Sequence, residues 1–304
     1  MDATLFGNPW EHIRLLSDDA RNAVLVGFLE RHAPGNRVLE VGCGTGVLSA
    51  VAARLGATHV VAVEPTGVAD IAEALARDNA LDMTVVRARI EDVAPEDHGG
   101  PVDVAFSELL NADPFFEGVV EVTNATRRWV TPGGVLAPSR LTVWAAAVRA
   151  ADSAREARAA AREVTALGRR FDLQMGAVLE GLTPQPDAAN SALTDHTYVT
   201  LVETPVGPPV RVHDLVLGDG SQPEQTVRVE LPVFEAGPVC GVMLWFEAVM
   251  DDDLVLHNRP EDVDSHWGRQ VCVFPVERGV RAGGHLTVAL TLTNGAMHVA
   301  DPTR

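Results

Sequence analysis

The sequence predicts a two-part α/β protein, in which a parallel sheet with helical connections precedes an all-β region. Two observations support this prediction. Short apolar strands alternate with helical patterns up to about residue 138, and a glycine-rich turn follows the first strand. After Pro184 the chain changes to alternating, β-branched stretches that glycine interrupts. Repeated strand–helix units are typical of a parallel sheet, and short, evenly spaced strands are typical of a barrel or sandwich.

The composition narrows the classes of function. A chain of 304 residues can form one large or two ordinary domains. Its net charge of −18 disfavours nucleic acid and favours basic small molecules or peptides, or serves solubility alone. No apolar run approaches the ~20 residues that span a bilayer, and the N-terminus lacks signal-peptide features. Three cysteines without metal-like spacing predict reduced thiols in a cytoplasmic protein without a metal.

In the first part, the apolar spacing predicts one helix from Trp10 to His32, with Asp18 and Arg21 one turn apart. The alternation then continues. The predicted elements are a short apolar strand that runs from Arg37 into the glycine-rich turn, helix Leu48–Leu55, strand His59–Val63, helix Val68–Asn79, strand Thr84–Arg87, strand Val102–Phe106, helix Val119–Trp129 and strand Val135–Ala137.

The second part is predicted to begin near Pro138, which divides the chain into domains 1–138 and 139–304. Its alanine- and arginine-rich stretch from Ala145 to Arg170 predicts an inserted helix, either solvated or in a dimer contact. The predicted strands are Tyr198–Glu203, Val210–Leu217, Thr226–Leu231, Val239–Met250, Gln270–Pro275 and His285–Leu292.

The glycine turn after the first strand predicts a nucleoside site. Gly42, Gly44 and Gly46 allow a ligand close to the backbone and positive φ angles. Glu64 ends the second strand, where a carboxylate can accept both hydroxyls of a ribose. The alternative is a glycine turn without function.

Two glutamates nine residues apart, Glu108 and Glu117, lie in the loop that follows the strand Val102–Phe106. The carboxyl ends of parallel strands meet at one edge, so this loop, Glu91 and the glycine turn should converge there. Two carboxylates in a partly dry pocket would bind a cation.

These motifs together resemble the class I S-adenosylmethionine-dependent methyltransferases, and specifically the protein arginine methyltransferase family. Two departures are visible: the family's N-terminal tyrosine–phenylalanine motif is missing, and Ser265 replaces a threonine. The style of the glutamate loop is closest to the branch that makes monomethylarginine. The matching segments are Leu15–Asn22, Val38–Leu48, Val61–Glu64, Ile90–Val93, Ser107–Gly118 and Ser265–Trp267.

The resemblance implies a Rossmann-like domain and a β-barrel, with a helical dimerisation arm at about 151–185 and a homodimer. It implies S-adenosylmethionine as cofactor, with S-adenosylhomocysteine as product. The implied cofactor-binding residues are Arg21, Gly42, Cys43, Gly44, Gly46, Leu48, Glu64, Pro65, Ile90, Glu91 and Glu108. The implied catalytic residues are Glu108 and Glu117, which would grip a guanidinium, and Asp18 with His266, which would relay a proton. Trp267 would wall the arginine pocket and limit its volume, or belong to the core of the barrel.

Several functions stay open on the sequence. The leading hypothesis is transfer of a methyl group to arginine, with free L-arginine or a small derivative in a biosynthetic pathway slightly favoured over a peptide or protein. A methyltransferase for another small-molecule amine or hydroxyl is the second enzyme hypothesis. A cofactor-binding scaffold without catalysis is the third.

Overall fold

The computed structural model describes residues 9–149, 164–175, 197–198, 204–262, 265–293 and 295–300. The α-helices of the first part of the chain are α1 (Pro9–Leu16), α2 (Asp19–His32), α3 (Val47–Arg54), α4 (Ala69–Asp78) and α5 (Val119–Thr126). The strands of the first sheet are β1 (Arg37–Val41), β2 (His59–Val63), β3 (Met83–Val86), β4 (Val102–Ser107) and β5 (Val130–Ala137). They lie in the order β3-β2-β1-β4-β5, and every pair is parallel. The strand order reverses between β1 and β4, which is where ligands bind in open α/β sheets.

The single helix predicted from Trp10 to His32 is wrong, because the segment forms two helices. Asp18 lies between them with an extended backbone, and its side chain accepts a hydrogen bond of 2.9 Å from the backbone N–H of Arg21. An aspartate in that position caps a new helix and stabilises it by about 1 kcal/mol. The helical spacing of apolar residues continues across the break, so periodicity alone did not reveal it.

The all-β part contains two sheets of mainly antiparallel strands. The strands are β6 (Arg140–Arg149), β7 (Thr197–Tyr198), β8 (Thr204–Pro205), β9 (Val210–Val216), β10 (Thr226–Val233), β11 (Gly237–Asp251), β12 (Leu254–His257), β13 (Gln270–Val280), β14 (Gly284–Thr293) and β15 (Ala296–Ala300). One sheet has the order β7-β13-β11-β6-β8, with β12 on β11 and β9 on β6. The other has the order β10-β14-β15. This barrel-like arrangement confirms the predicted class, although β6, β8, β12 and β15 were missed.

The predicted helix from Ala145 to Arg170 is wrong at its start. Residues 145–149 belong to β6, which pairs with β11 on one side and with β9 on the other. Ala145, Ala146 and Ala147 are buried between these neighbours, so tertiary pairing overrides the helix propensity of alanine. Residues 164–171 are helical. The rest of the predicted arm at 151–185 lies outside the described residues.

One apolar cluster runs through both parts of the chain and includes Phe28, Phe106, Leu141 and Phe246. The predicted boundary near Pro138 falls between β5 and β6. The division into two domains remains a proposal. Within the described ranges, no helix has the length and apolar character needed to cross a membrane.

Candidate functional site

A cavity of about 340 Å³ lies at the carboxyl edge of the parallel sheet, where the strand order reverses. Most of the residues singled out in the sequence line it. They are Arg21, Gly42, Cys43, Gly44, Leu48, Glu64, Pro65, Ile90, Glu91, Glu108, Glu117, His266 and Trp267. The α2 helix, the segments that follow β1, β2, β3 and β4, and a barrel loop therefore converge on one cavity.

The glycine turn brings backbone close to its neighbours at two points. Gly42 has a φ of 76°, and a Cβ there would lie 2.7 Å from Cδ2 of Leu109 in the glutamate loop. Gly44 has a φ of 53°, and a Cβ there would lie 2.5 Å from the ring of His12. Neither position accommodates a side chain without displacement. His12 was missed in the sequence. The residues that would replace the missing tyrosine–phenylalanine motif as a cover for the cofactor were expected to be Phe6 and Trp10, whose side chains lie outside the described residues.

Gly46 has a different role from the other two glycines. It precedes α3 with a φ of 77°, and a Cβ there would lie 2.7 Å from Cβ of Ala72 in α4. Gly46 therefore allows two helices to approach each other, which is a packing function.

Two buried carboxylates flank the glycine turn in the sequence, Glu40 before it and Glu64 after it. Glu64 accepts hydrogen bonds from the backbone N–H groups of Gly44 at 3.1 Å and Thr66 at 2.9 Å. Glu40, on β1, accepts one from the Ser49 hydroxyl. Burial raises the pKa of Glu40 to about 8, although the Ser49 hydrogen bond opposes the shift. Sequence reasoning missed Glu40; its signal was an acid inside an otherwise apolar strand.

The wall of the cavity formed by Ile90 and Glu91 is held in place by a residue that does not itself line the cavity. Arg128 donates from Nη2 to the backbone carbonyls of Ile90 at 2.7 Å, Glu91 at 3.0 Å and Val93 at 2.7 Å. One guanidinium therefore fixes the short segment that carries two of the predicted cofactor-binding residues.

Glu108 forms a buried ion pair with Arg21. Its Oε2 lies 2.6 Å from Nε and 2.5 Å from Nη2 of Arg21, and both side chains are about 95% buried, with exposures of 5% and 6%. The Oε1 atom accepts a 3.2 Å hydrogen bond from the backbone N–H of Leu110. The first glutamate of the pair is thus a compensated anion with a fixed orientation.

Glu117 is buried with less compensation. Its Oε1 accepts a 3.2 Å hydrogen bond from the Asn111 side chain. Burial, and then the charge of Glu108, raise the pKa of Glu117 well above its usual range, against the opposing effects of Asn111 and Arg21. Within the part of the chain that the structure describes, Glu117 forms no ion pair of its own, and Arg21 offsets its burial only in part.

His266 reaches the cavity from the barrel and contacts the N-terminal helices. Its Nδ1 lies 2.7 Å from Oδ2 of Asp18, which also accepts its backbone N–H at 3.1 Å. Burial lowers the pKa of His266. Burial alone would raise the pKa of Asp18, but hydrogen bonds from Arg21 and His266 lower it. Asp18 itself lines a neighbouring cavity of about 510 Å³ that shares Arg21 and Trp267 with the first.

Trp267 packs beside this pair. Its ring centroid lies 4.3 Å from that of His266, with the two rings tilted. It lies 5.3 Å from that of Phe246, and this second pair is edge-on. Among the described residues, no group of three histidine, cysteine, aspartate or glutamate side chains could hold a metal.

Comparison with known proteins agrees with this architecture. Residues 38–134 match the family described as a methyltransferase domain. The chain is 32% identical to protein arginine N-methyltransferase 1 of Chlamydomonas reinhardtii, over 43% of this chain and 39% of that protein. The first relatives are thus matched over little more than a third of their own length. Arginine N(omega)-methyltransferase of Streptomyces achromogenes is 28% identical over 96% of this chain and 78% of that protein.

The fold is also that of solved structures. Protein arginine methyltransferase 10 of Arabidopsis thaliana superposes with a TM-score of 0.76 at 24% identity, covering 95% of this chain and 89% of that one. A Trypanosoma brucei PRMT1 enzyme–prozyme heterotetramer with AdoHcy gives 0.75 at 17% identity, covering 98% and 96%. The match at residues 38–134 and the order of the parallel sheet are those of a class I methyltransferase domain. Three relatives that match more than nine-tenths of this chain are named arginine N-methyltransferases.

Proposed function

We propose that this protein is an S-adenosylmethionine-dependent arginine N-methyltransferase that gives Nω-methylarginine. One observation carries the proposal. Glu108 and Glu117 are both buried on one cavity that His266 also lines. A pair of buried carboxylates is expensive without a cation, and a guanidinium is the cation whose planar fork matches two carboxylates.

The residues at the glycine turn fit the adenosyl cofactor. Gly42 and Gly44 line the cavity without a Cβ that would fill it, and the buried carboxylate of Glu64 directly follows β2, where a ribose diol would bind. Arg21 is a buried cation suited to the cofactor's carboxylate, and Ile90 offers an apolar surface for a base. When bound, this cofactor supplies a methyl group on a sulfonium sulfur.

The two glutamates would bind and orient the guanidinium. At ~4 Å and an effective dielectric near 20, each contact contributes on the order of 4 kcal/mol before desolvation. A bound guanidinium would restore the compensation that Glu117 lacks and favour its ionised form. Glu108 and Glu117 would also direct one nitrogen towards the methyl donor, because methyl transfer depends mainly on positioning.

His266 would accept the proton that the methylated nitrogen releases. Its lowered pKa keeps the ring neutral near pH 7, and Asp18 at Nδ1 fixes its orientation and would stabilise the charged ring. Trp267 would limit the volume beside the substrate.

The substrate we favour is free L-arginine or a small arginine derivative in a biosynthetic pathway. The Streptomyces relative, which covers nearly the whole chain, is an arginine N(omega)-methyltransferase by name, and the net charge of −18 attracts basic small molecules. Arginine within a peptide or protein is the alternative, because other relatives are named protein arginine methyltransferases. The cytoplasmic location remains a prediction.

Incubation with methyl-labelled cofactor tests the activity and the substrate together. One reaction contains free arginine, and a second contains an arginine-rich peptide; both are followed by amino-acid analysis. Label in monomethylarginine from the free amino acid supports the small-substrate proposal, whereas label only in the peptide supports the alternative. Absence of label from every methylarginine rejects arginine methylation and leaves another amine or hydroxyl substrate.

We also propose a homodimer, as the resemblance implies. The T. brucei relative assembles as a heterotetramer. Light scattering after size exclusion would give a mass near twice 32.4 kDa; a monomeric mass would contradict the proposal.

A further inference from the structure

The middle of the glutamate loop is held by the barrel through Asp113. This side chain is 1% exposed. Its Oδ1 accepts the backbone N–H of Phe115 at 3.0 Å, and its Oδ2 accepts the backbone N–H of Met297 on β15 at 2.6 Å. One carboxylate therefore ties the loop to a strand 184 residues away.

A second partner links this contact to the strand that follows His266. The buried Gln270 begins β13, hydrogen-bonds to Asp113, and donates from Nε2 to the carbonyl of Met297 at 2.8 Å. Gln270 lies four residues after His266. The same anchor is thus connected to both the glutamate loop and the barrel segment that carries the histidine.

Close packing supports the anchor on either side. The Phe115 ring meets His213 of β9 edge-on at 5.4 Å. A Cβ on Gly295, in the turn before β15, would lie 3.4 Å from the carbonyl of Phe115. Since Asp113 lies midway between Glu108 and Glu117, displacement of the anchor would move both carboxylates.

We propose that Asp113 is a positioning residue, which sets the separation of Glu108 and Glu117 and their distance from His266 by fastening the loop to β13 and β15. The proposal rests on the proposed function, because its kinetic consequence concerns a guanidine substrate. A displacement of about 1 Å lowers turnover efficiency on the order of 10²-fold.

The test replaces Asp113 by asparagine, which keeps the shape but turns an NH₂ group towards one of the two N–H donors. We expect D113N to raise KM for the guanidine substrate about tenfold and to lower kcat/KM on the order of 10²-fold. Affinity for S-adenosylhomocysteine, measured by calorimetry, should change less than about threefold, since the glycine turn is untouched. Gln270→Met leaves Asp113 in place and should change KM and kcat/KM in the same direction by smaller factors, with cofactor-product affinity preserved. It replaces D113N as the test if D113N folds poorly.

The matched control is Asp219→Asn. Asp219 also accepts a backbone N–H, from Ser221 at 2.7 Å, but in an exposed loop. The Asp219→Asn substitution should leave KM, kcat and the affinity for S-adenosylhomocysteine unchanged. Unchanged KM and kcat/KM in both D113N and Gln270→Met would overturn the proposal.

Hydrogen exchange separates this proposal from the proposed function. In D113N, peptides covering 107–118 should exchange at least about tenfold faster, while those covering 38–48 stay protected. This result stands even if the wild-type protein methylates no guanidine. Unchanged exchange at 107–118 would reject the anchor, whatever the activity.

Discussion

The two ends of the cavity are built in different ways. The glycine-turn end comes from neighbouring elements within about 55 residues of chain, and its polar contacts are largely to backbone groups. The glutamate end combines α2, the loop after β4 and a barrel loop, so its contacts span 87 to 248 residues. Backbone geometry therefore dominates the first end, and buried charge dominates the second. Mutations at the two ends should separate cofactor binding from turnover.

The largest separation is expected for Glu117→Gln. Loss of one carboxylate should lower kcat/KM for arginine on the order of 10²–10³-fold, with S-adenosylhomocysteine affinity within about threefold of wild type. Because the folded state raises the pKa of Glu117, its ionisation costs stability as pH rises above the unfolded value, so the variant should unfold at a higher temperature at pH 7. Kinetics and thermal melts check both. A loss of S-adenosylhomocysteine affinity as large as the loss of kcat/KM would mean that the glutamate loop serves the glycine-turn end of the cavity.

Glu108→Gln makes the same chemical change with the opposite effect on stability. It leaves the Arg21 guanidinium buried without its anionic partner, which costs about 3–5 kcal/mol. Denaturant titration of the two variants side by side gives the contrast. A destabilisation as small as that of an exposed ion pair would show that the Arg21 contact is not maintained in solution.

His266→Gln is expected to lower kcat on the order of 10²-fold, without weakening cofactor-product binding. In the wild type, burial lowers the pKa of His266, so activity should fall only at a pH below the usual 6.5. The unfolded chain binds this proton more readily, and the corresponding stability is present at neutral pH and lost as pH falls below about 6.5. The pH dependence of kcat and of the unfolding temperature, measured for the wild type and for His266→Gln, tests both statements. Identical profiles in variant and wild type would exclude His266 as the titrating group.

Gly42→Ala gives the smallest effect and tests whether the two ends are coupled. The added methyl group would press on Leu109 in a backbone conformation that alanine rarely adopts, and we expect about tenfold weaker S-adenosylhomocysteine binding. Gly35→Ala is the control: its φ is 74°, and its position is open. If the additional substitution Leu109→Ala restores S-adenosylhomocysteine binding in the Gly42→Ala variant, the glycine turn and the glutamate loop are coupled through this contact.

The contrast also explains how much could be predicted from sequence. The glycine turn, Glu64 and the parallel sheet follow local patterns, so they could be predicted. The contact of Asp113 with Met297 depends on the register of distant strands, which no local pattern encodes. Alanines in β6 and the cap at Asp18 were misassigned because pairing and capping override propensity. Glu108 and Glu117 were recognised by spacing, but their unequal environments required three-dimensional structure.

The three carbonyl contacts of Arg128 have a consequence for engineering. This side chain supports the segment at Ile90 from behind, outside the cavity. Shortening it would let the wall relax without changing any lining residue. On the proposed placement of the cofactor, Arg128 is therefore a position at which we expect tolerance for analogues with enlarged bases to be selectable while the glutamate end keeps its chemistry.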